Sequence, residues 1–470
     1  MQLKQLSILL AGLAVAGTAS AQTLTFAGGG ASATRQTIRD AVIRSICGAS
    51  TAAPAAPTIN VYENATNVRR ITCNSTAIAG FTALDFNYDN TTGSFLGIGP
   101  VSGTAGGAAP YTVAGGVQRV NIATCGAPTV TTIEGKRVNL FTGCSNEATL
   151  QQALVGNADV EPALFRGVNL PAGVATPNFS NIESRGQWGV VFGIGASTAL
   201  WNALRDDQIA AGLLPAACST ATPTSPNLVV GATTFPGGCA PTISTAQVIS
   251  LSIANAGPLN TDWTPLFRSA PPAAATQTVR WARRVAGSGT QSSFNAVFMN
   301  NPCSPSGLAP ATQPESGPTY VVTESGSGGA LLSFLGGTAN SGTSNDGLTR
   351  YVAGIITRES APGSGTGTPN WGFLKLDGVY PIKANAQNGA YRWVAEQVLT
   401  LRVTASAAVR SFYEQLATAT GSPTVIASLS GTDGIVALPG IADSSDPQYA
   451  AQATRYRTLG NSCTAPQIVE

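Results

Sequence analysis

Short apolar runs alternate with amphipathic stretches along most of this chain, and the alternation predicts strands followed by helices. Thr23 to Phe26 reads as a strand, Gly28-Gly29-Gly30 as a turn, and Ser32 as the cap of a helix from about Ala33 to Ile46 with Ile38, Val42 and Ile46 on one stripe. Trp188 to Ile194 is apolar without interruption, as in a strand covered on both faces, and a helix is predicted over Ala196 to Ala211. Further strands are predicted at Thr58 to Val61, Gln277 to Trp281, Gly354 to Ile356 and Gly372 to Leu376. Helices are predicted at Glu147 to Val155, at Ser244 to Ala254, and as one or two long elements from Gly389 to Ala417 with Trp393, Val398, Leu401 and Val409 in the core. Pro100 to Thr142, rich in Gly, Thr, Val and Ala, reads as a β-hairpin excursion, and Cys218 to Cys239 as a proline-rich loop. Such alternation argues for an α/β fold, and 470 residues exceed what one core holds, so two lobes are expected.

The first residues change the setting. Lys4, the apolar run Leu6 to Ala16 and Ala19-Ser20-Ala21 form a secretory signal with cleavage before Gln22, so a periplasmic or secreted protein is expected. No later stretch is apolar for the roughly 18 residues a membrane span needs. Eight cysteines without closely spaced pairs read as disulfides, and pairing neighbours joins Cys47 to Cys73, Cys125 to Cys144 and Cys218 to Cys239. Cys303 and Cys463 are left for each other by elimination.

Charge and composition exclude much chemistry. With 25 Lys and Arg against 23 Asp and Glu, there is no electrostatic case for nucleic acid or an anionic membrane. Histidine is absent, which removes Ser-His-Asp and Cys-His catalysis and histidine metal sites. No enzyme activity and no cofactor are expected.

Candidate chemistry concentrates at Arg284-Val285-Ala286-Gly287-Ser288-Gly289-Thr290. Gly287 and Gly289 let the backbone approach a ligand closely, a helix N-terminus adds partial positive charge, and Arg284 supplies a planar two-pronged donor. These are the parts of a site for a small tetrahedral anion, although turn and cap chemistry alone also places Ser and Thr there.

Together with Gly28-Gly29-Gly30-Ala31-Ser32-Ala33, Gly93-Ser94 and Ala158-Asp159-Val160-Glu161-Pro162, this motif resembles the periplasmic phosphate-binding proteins of ABC importers, within the type II periplasmic binding protein superfamily. Thr245-Ala246-Gln247 with Asp262-Trp263, and Trp371 to Val379, extend the resemblance over most of the chain. It departs at Ala286, where the family often has an acid, and at Ala158 in place of serine. The resemblance implies a two-lobed fold with a hinge and inserted disulfide-bearing loops. Residues 22–185 would form lobe 1 with the hairpin inserted at about 100–145, 186–355 lobe 2, and 356–470 the return to lobe 1 and C-terminal helices. It implies phosphate contacts from Ser32, the Ala33 amide, Ser94, Asp159, Arg284, Ser288, Gly289 and Thr290.

Asp159 would accept the proton of monohydrogen phosphate and so reject sulfate, which has none; as a residue pattern alone, it could equally be a surface acid. The implied function is capture of inorganic phosphate or a similar oxyanion for an ABC importer. A surface or matrix protein that retains the fold and contacts other macromolecules through its loops is the alternative. A phosphoester hydrolase using Asp159 or Ser288 lacks the histidine or carboxylate metal cluster it would need.

Overall fold

The computed structural model describes residues 22–49, 53, 55–65, 67–104, 116–254, 262–269, 271–276, 278–312, 320–336, 351–362, 371–429, 434–458 and 463–469. The expected signal segment Met1 to Ala21 and the glycine-rich stretch within 363–370 therefore lie outside the described residues.

One large mixed sheet is built in two halves around the strand Ile182–Ser197. Its first part pairs antiparallel with Val394–Arg402, from Ile182 opposite Arg402 to Val191 opposite Val394. Its last part pairs antiparallel with Ala353–Thr357, from Phe192 opposite Thr357 to Ala196 opposite Ala353. Continuing from Val394–Arg402, the first half runs through Gln151–Ala158, Thr23–Gly30, Ala83–Asp89, Val68–Asn74, Ile59–Asn64 and Lys136–Asn146. The second half continues from Ala353–Thr357 through Val279–Arg284 to Tyr320–Ser325, all parallel. The fold is thus two-lobed α/β, with one strand common to both lobes; Thr198–Ala210 and Ala407–Gly421 pack on that strand, Gly289–Met299 on Ala353–Thr357, and Arg35–Ser45 on Ala407–Gly421.

The unbroken apolar run at Trp188 to Ile194 is buried throughout, as a strand covered on both faces requires. Ile38, Val42 and Ile46 form the buried side of their helix. The hairpin excursion is present as Thr129–Ile133 paired with Lys136–Asn146, turning on Glu134 and Gly135, both with positive φ. All four expected disulfides form, including Cys303 with Cys463 across 160 residues.

Three expectations fail, and each failure has a tertiary cause. Glu147 to Val155 is not helical: Gln151–Ala158 is a strand held between Thr23–Gly30 and Val394–Arg402. Gly389 to Arg402 is likewise no helix, because Val394–Arg402 is a central strand buried on both faces, and a short buried apolar run looks alike in either state. The long helix begins only at Ala407 and contains Val409. Thirdly, Gly28 to Gly30 do not turn the chain but complete the first strand, aligned with Tyr88 and Asp89 on one side and Val155 to Asn157 on the other.

The reason for glycine here is closeness. At Gly30, φ is +155° and an added Cβ would lie 2.0 Å from the Asn157 carbonyl oxygen. Gly30→Ala is expected to lower stability by about 2–4 kcal/mol through forced separation of these strands, read as a fall in the denaturant midpoint. An unchanged midpoint would refute that account.

Candidate functional site

Six parallel-strand ends meet where the two lobes face each other. In the first lobe, Thr23–Gly30 leads to Ser32, Ala83–Asp89 to Ser94 and Gln151–Ala158 to Asp159. In the second, Val279–Arg284 ends on Arg284, Tyr320–Ser325 on Ser325 and Ala353–Thr357 points its chain toward Glu359. Ligands of open α/β sheets bind in such a crevice, outside the carboxyl ends of the strands.

A cavity of about 330 Å³ occupies this place. Of the eight residues expected from sequence, Ser32, Ala33, Arg284 and Thr290 line it, alongside Arg35, Gln36, Leu332 and Glu359. Ser94, Asp159, Ser288 and Gly289 are not among its lining residues. They form the adjoining seam between the lobes, where the Phe95 amide donates to the Gly287 carbonyl at 2.9 Å and the Gly287 amide to the Asn169 carbonyl at 3.0 Å. A methyl group on Gly289 would stand 2.4 Å from Ser94 Oγ and 2.7 Å from Asp159 Cβ, so only glycine permits this approach.

Asp159 is buried rather than a surface acid, with 3% of its area exposed. Ser94 Oγ donates to its Oδ2 at 3.1 Å and accepts from its backbone amide at 3.1 Å. Gln397 Nε2 donates to its Oδ1 at 3.1 Å. Burial raises the Asp159 carboxyl to about 6 against the opposing pull of Ser94, Arg284 and Gln397. Burial also lowers Arg284 to about 10, while Asp159 acts in the opposite sense. The two therefore sense each other's charge in a dry environment.

Arg284 is held in a fixed plane. Its Nε donates to the Ser325 carbonyl at 3.1 Å and its Nη2 to the Gly326 carbonyl at 3.0 Å, while Gln291 Oε1 accepts from its backbone amide at 3.2 Å. Gln291 Nε2 continues to Asn295 Oδ1, and Asn295 Nδ2 to Asn169 Oδ1, so a buried amide chain links the arginine to the first lobe.

Cap chemistry does not account for the serine. Ser244, Ser327, Ser406 and Ser422 each accept a hydrogen bond from the helix they precede, but Ser288, in the same position before Gly289–Met299, makes no such bond. Ser32 is not the cap of its helix either: that position falls to Thr34, before Arg35–Ser45. Thr34 Oγ1 instead accepts from Gln397 Nε2 at 2.8 Å and Asn157 Nδ2 at 2.9 Å.

Sequence reasoning passed over Thr34, Asn157, Gln397, Arg35 and Glu359. A signal existed for Thr34 and Arg35, two and three residues after Ser32. None existed for Gln397, whose strand was read as helix, nor for Glu359, beyond its position just after a predicted strand. Among the described residues, no group of three or more His, Cys, Asp or Glu is placed to hold a metal ion. No helix among them is long and apolar enough to cross a membrane.

No protein-family model and no curated protein matches the chain. Among solved structures, it is similar to an ABC-type phosphate transport receptor from Vibrio cholerae at 12% identity and a TM-score of 0.30, covering 56% of this chain and 73% of that one. It is also similar to PstS from Borrelia burgdorferi at 11% identity and a TM-score of 0.27, covering 57% and 73%. Likeness of this strength says nothing about a ligand; the case for one comes from the cleft itself.

Proposed function

We propose that this protein is an exported solute-binding protein that captures inorganic phosphate, or a similar tetrahedral oxyanion, between its lobes and presents it to an ABC importer. One observation carries this reading: Ser32, Ala33, Arg284 and Thr290, drawn from two lobes, line one cavity beside the buried Asp159–Ser94 pair. A desolvated guanidinium held in one plane is costly without an anion and favourable with one, because preorganised donors need no rearrangement when the charge arrives. Thr290, in the first turn of Gly289–Met299, brings that helix's N-terminus to the cavity, where its partial positive charge favours an anion. Binding across two lobes couples capture to closure, giving an importer a distinct shape to recognise.

The test is isothermal titration of anion-stripped protein with phosphate and with sulfate. Phosphate is expected to bind and sulfate to bind at least about 100-fold more weakly, since sulfate brings no proton for Asp159 and a buried unmatched charge costs several kcal/mol. Absence of heat with both anions would reject the reading.

One feature favours the alternative, a surface protein that keeps the fold. The hairpin Leu228–Val230 with Thr233–Phe235, inside the Cys218–Cys239 loop, leaves Val229, Val230 and Phe235 exposed.

A further inference from the structure

The cleft is larger than a phosphate ion requires. A water molecule's share of liquid volume is about 30 Å³, and a four-oxygen anion replaces only a few such molecules. The cavity of about 330 Å³ is instead at the lower end of pockets that hold small organic ligands. Its chemistry also changes from one side to the other. Ser32, Arg284 and Thr290 supply the donors for an anion, whereas Leu332 and Ile355 supply apolar surface and Glu359 a carboxyl group.

Glu359 is the unexplained member. A second acid in a cleft that already has Asp159 beside it works against a bare dianion. Among the described residues, Glu359 has no ion-pair partner within 4.0 Å, and its nearest polar side-chain contact is Thr357 Oγ1 at 3.5 Å from Oε2. It stands two residues after the end of Ala353–Thr357 and is partly buried, so the fold holds it at the cleft rather than leaving it on a free surface. Burial and the charge of Asp159 push its carboxyl well above the usual carboxylate range, with Arg35 on the same cavity opposing them; a hydroxyl or ammonium group on a ligand's organic part would favour the ionised form, whose oxygens accept from it.

We infer that the cleft accepts small phosphomonoesters whose organic part carries a hydrogen-bond donor, with the phosphoryl end at Arg284, Ser32 and Thr290 and the donor at Glu359. The inference rests on the anion-binding reading above and narrows its substrate class. Phosphoethanolamine and glycerol phosphate belong to this class, while ethyl phosphate keeps the phosphoryl end and lacks the donor.

The experiment is calorimetric titration of the full anion-stripped protein with inorganic phosphate, ethyl phosphate, glycerol phosphate and phosphoethanolamine, repeated for E359L. The donor-bearing esters are expected to displace inorganic phosphate and to bind at least tenfold tighter than ethyl phosphate. In E359L, which has no acceptor, that ratio should fall below about threefold, and ethyl phosphate binding by the variant reports that it is folded. If inorganic phosphate binds and no ester competes, this inference is overturned while the phosphate reading stands. Esters that compete with no preference over ethyl phosphate, or a preference that survives in E359L, overturn the role of Glu359. If neither phosphate nor any ester binds, both readings fail.

Discussion

Arg284→Ala should weaken phosphate binding by about two to three orders of magnitude, the largest single loss expected for any side chain in the cleft. Among the described residues, the guanidinium is the buried cation that both lines the cavity and interacts with Asp159. Truncating one member of a buried charge pair costs roughly 3–5 kcal/mol, and each 1.4 kcal/mol is tenfold in affinity. Some of the effect will appear in the ligand-free protein, because the carbonyls of Ser325 and Gly326 also lose their donor. Arg284→Lys separates the two contributions. It keeps the charge but not the fork, so binding should fall by an intermediate factor of about ten or more. Calorimetry on both variants, with thermal melts to confirm folding, measures the effect; a folded Arg284→Ala protein that binds phosphate like the parent would exclude Arg284 from the site. The same variant carries an internal check on the electrostatics. Arg284 lowers the Asp159 carboxyl, so its removal should send that titration above about 6, visible in carboxyl carbon shifts across a pH series.

What could be read from the sequence follows from how local each signal is. Arg284 to Thr290 is a contiguous strand end, glycine turn and helix start, so its composition singled it out before any contact was known, and Arg284 and Thr290 do line the cavity between the lobes. The helix stripe Ile38, Val42 and Ile46 and the apolar run from Trp188 were legible for the same reason, since a buried face imposes its period on the residues that form it. The cysteine pairs were legible because three of them close short loops and the fourth had no other choice.

The misread elements depend on partners distant in sequence. Gln151–Ala158 is a strand because two other strands flank it, one of them more than 230 residues later, and that pairing overrides a weak helical preference. Gln397 belongs to the site only because Val394–Arg402 lies beside that strand, bringing its side chain to Asp159 and Thr34. The glycines after Phe26 carry a related lesson. Their composition said turn, yet the parallel strands on either side come so close that glycine is needed to continue the strand.

Asp159→Asn should change both the pH dependence of stability and the choice between anions. Folding raises this carboxyl from its ordinary 3.8 to about 6, so between those values the folded protein holds more proton than the unfolded chain. The stability contributed by the neutral acid is present in full below the unfolded value and is lost as pH rises through about 6. One unit is worth 1.36 kcal/mol, and the loss between pH 4 and pH 8 is on the order of 2 kcal/mol. Asparagine cannot ionise, and it fits the same contacts: Oδ1 can accept from Gln397 while Nδ2 donates to Ser94 Oγ, which retains a lone pair. Relative to the parent, the ligand-free variant should therefore gain about 2 kcal/mol between pH 4 and pH 8 in denaturant titrations. Parallel curves for the two proteins would show that Asp159 does not titrate in this window. In binding, the amide offers a donor where the carboxylate repelled a fully ionised oxyanion, so sulfate should gain affinity and the preference for phosphate at pH 8 should fall from about 100-fold to within about fivefold. The parent should lose part of the same preference below pH 6, where its own carboxyl takes up a proton. A variant that still discriminates like the parent at pH 8 would remove Asp159 from the recognition of the anion.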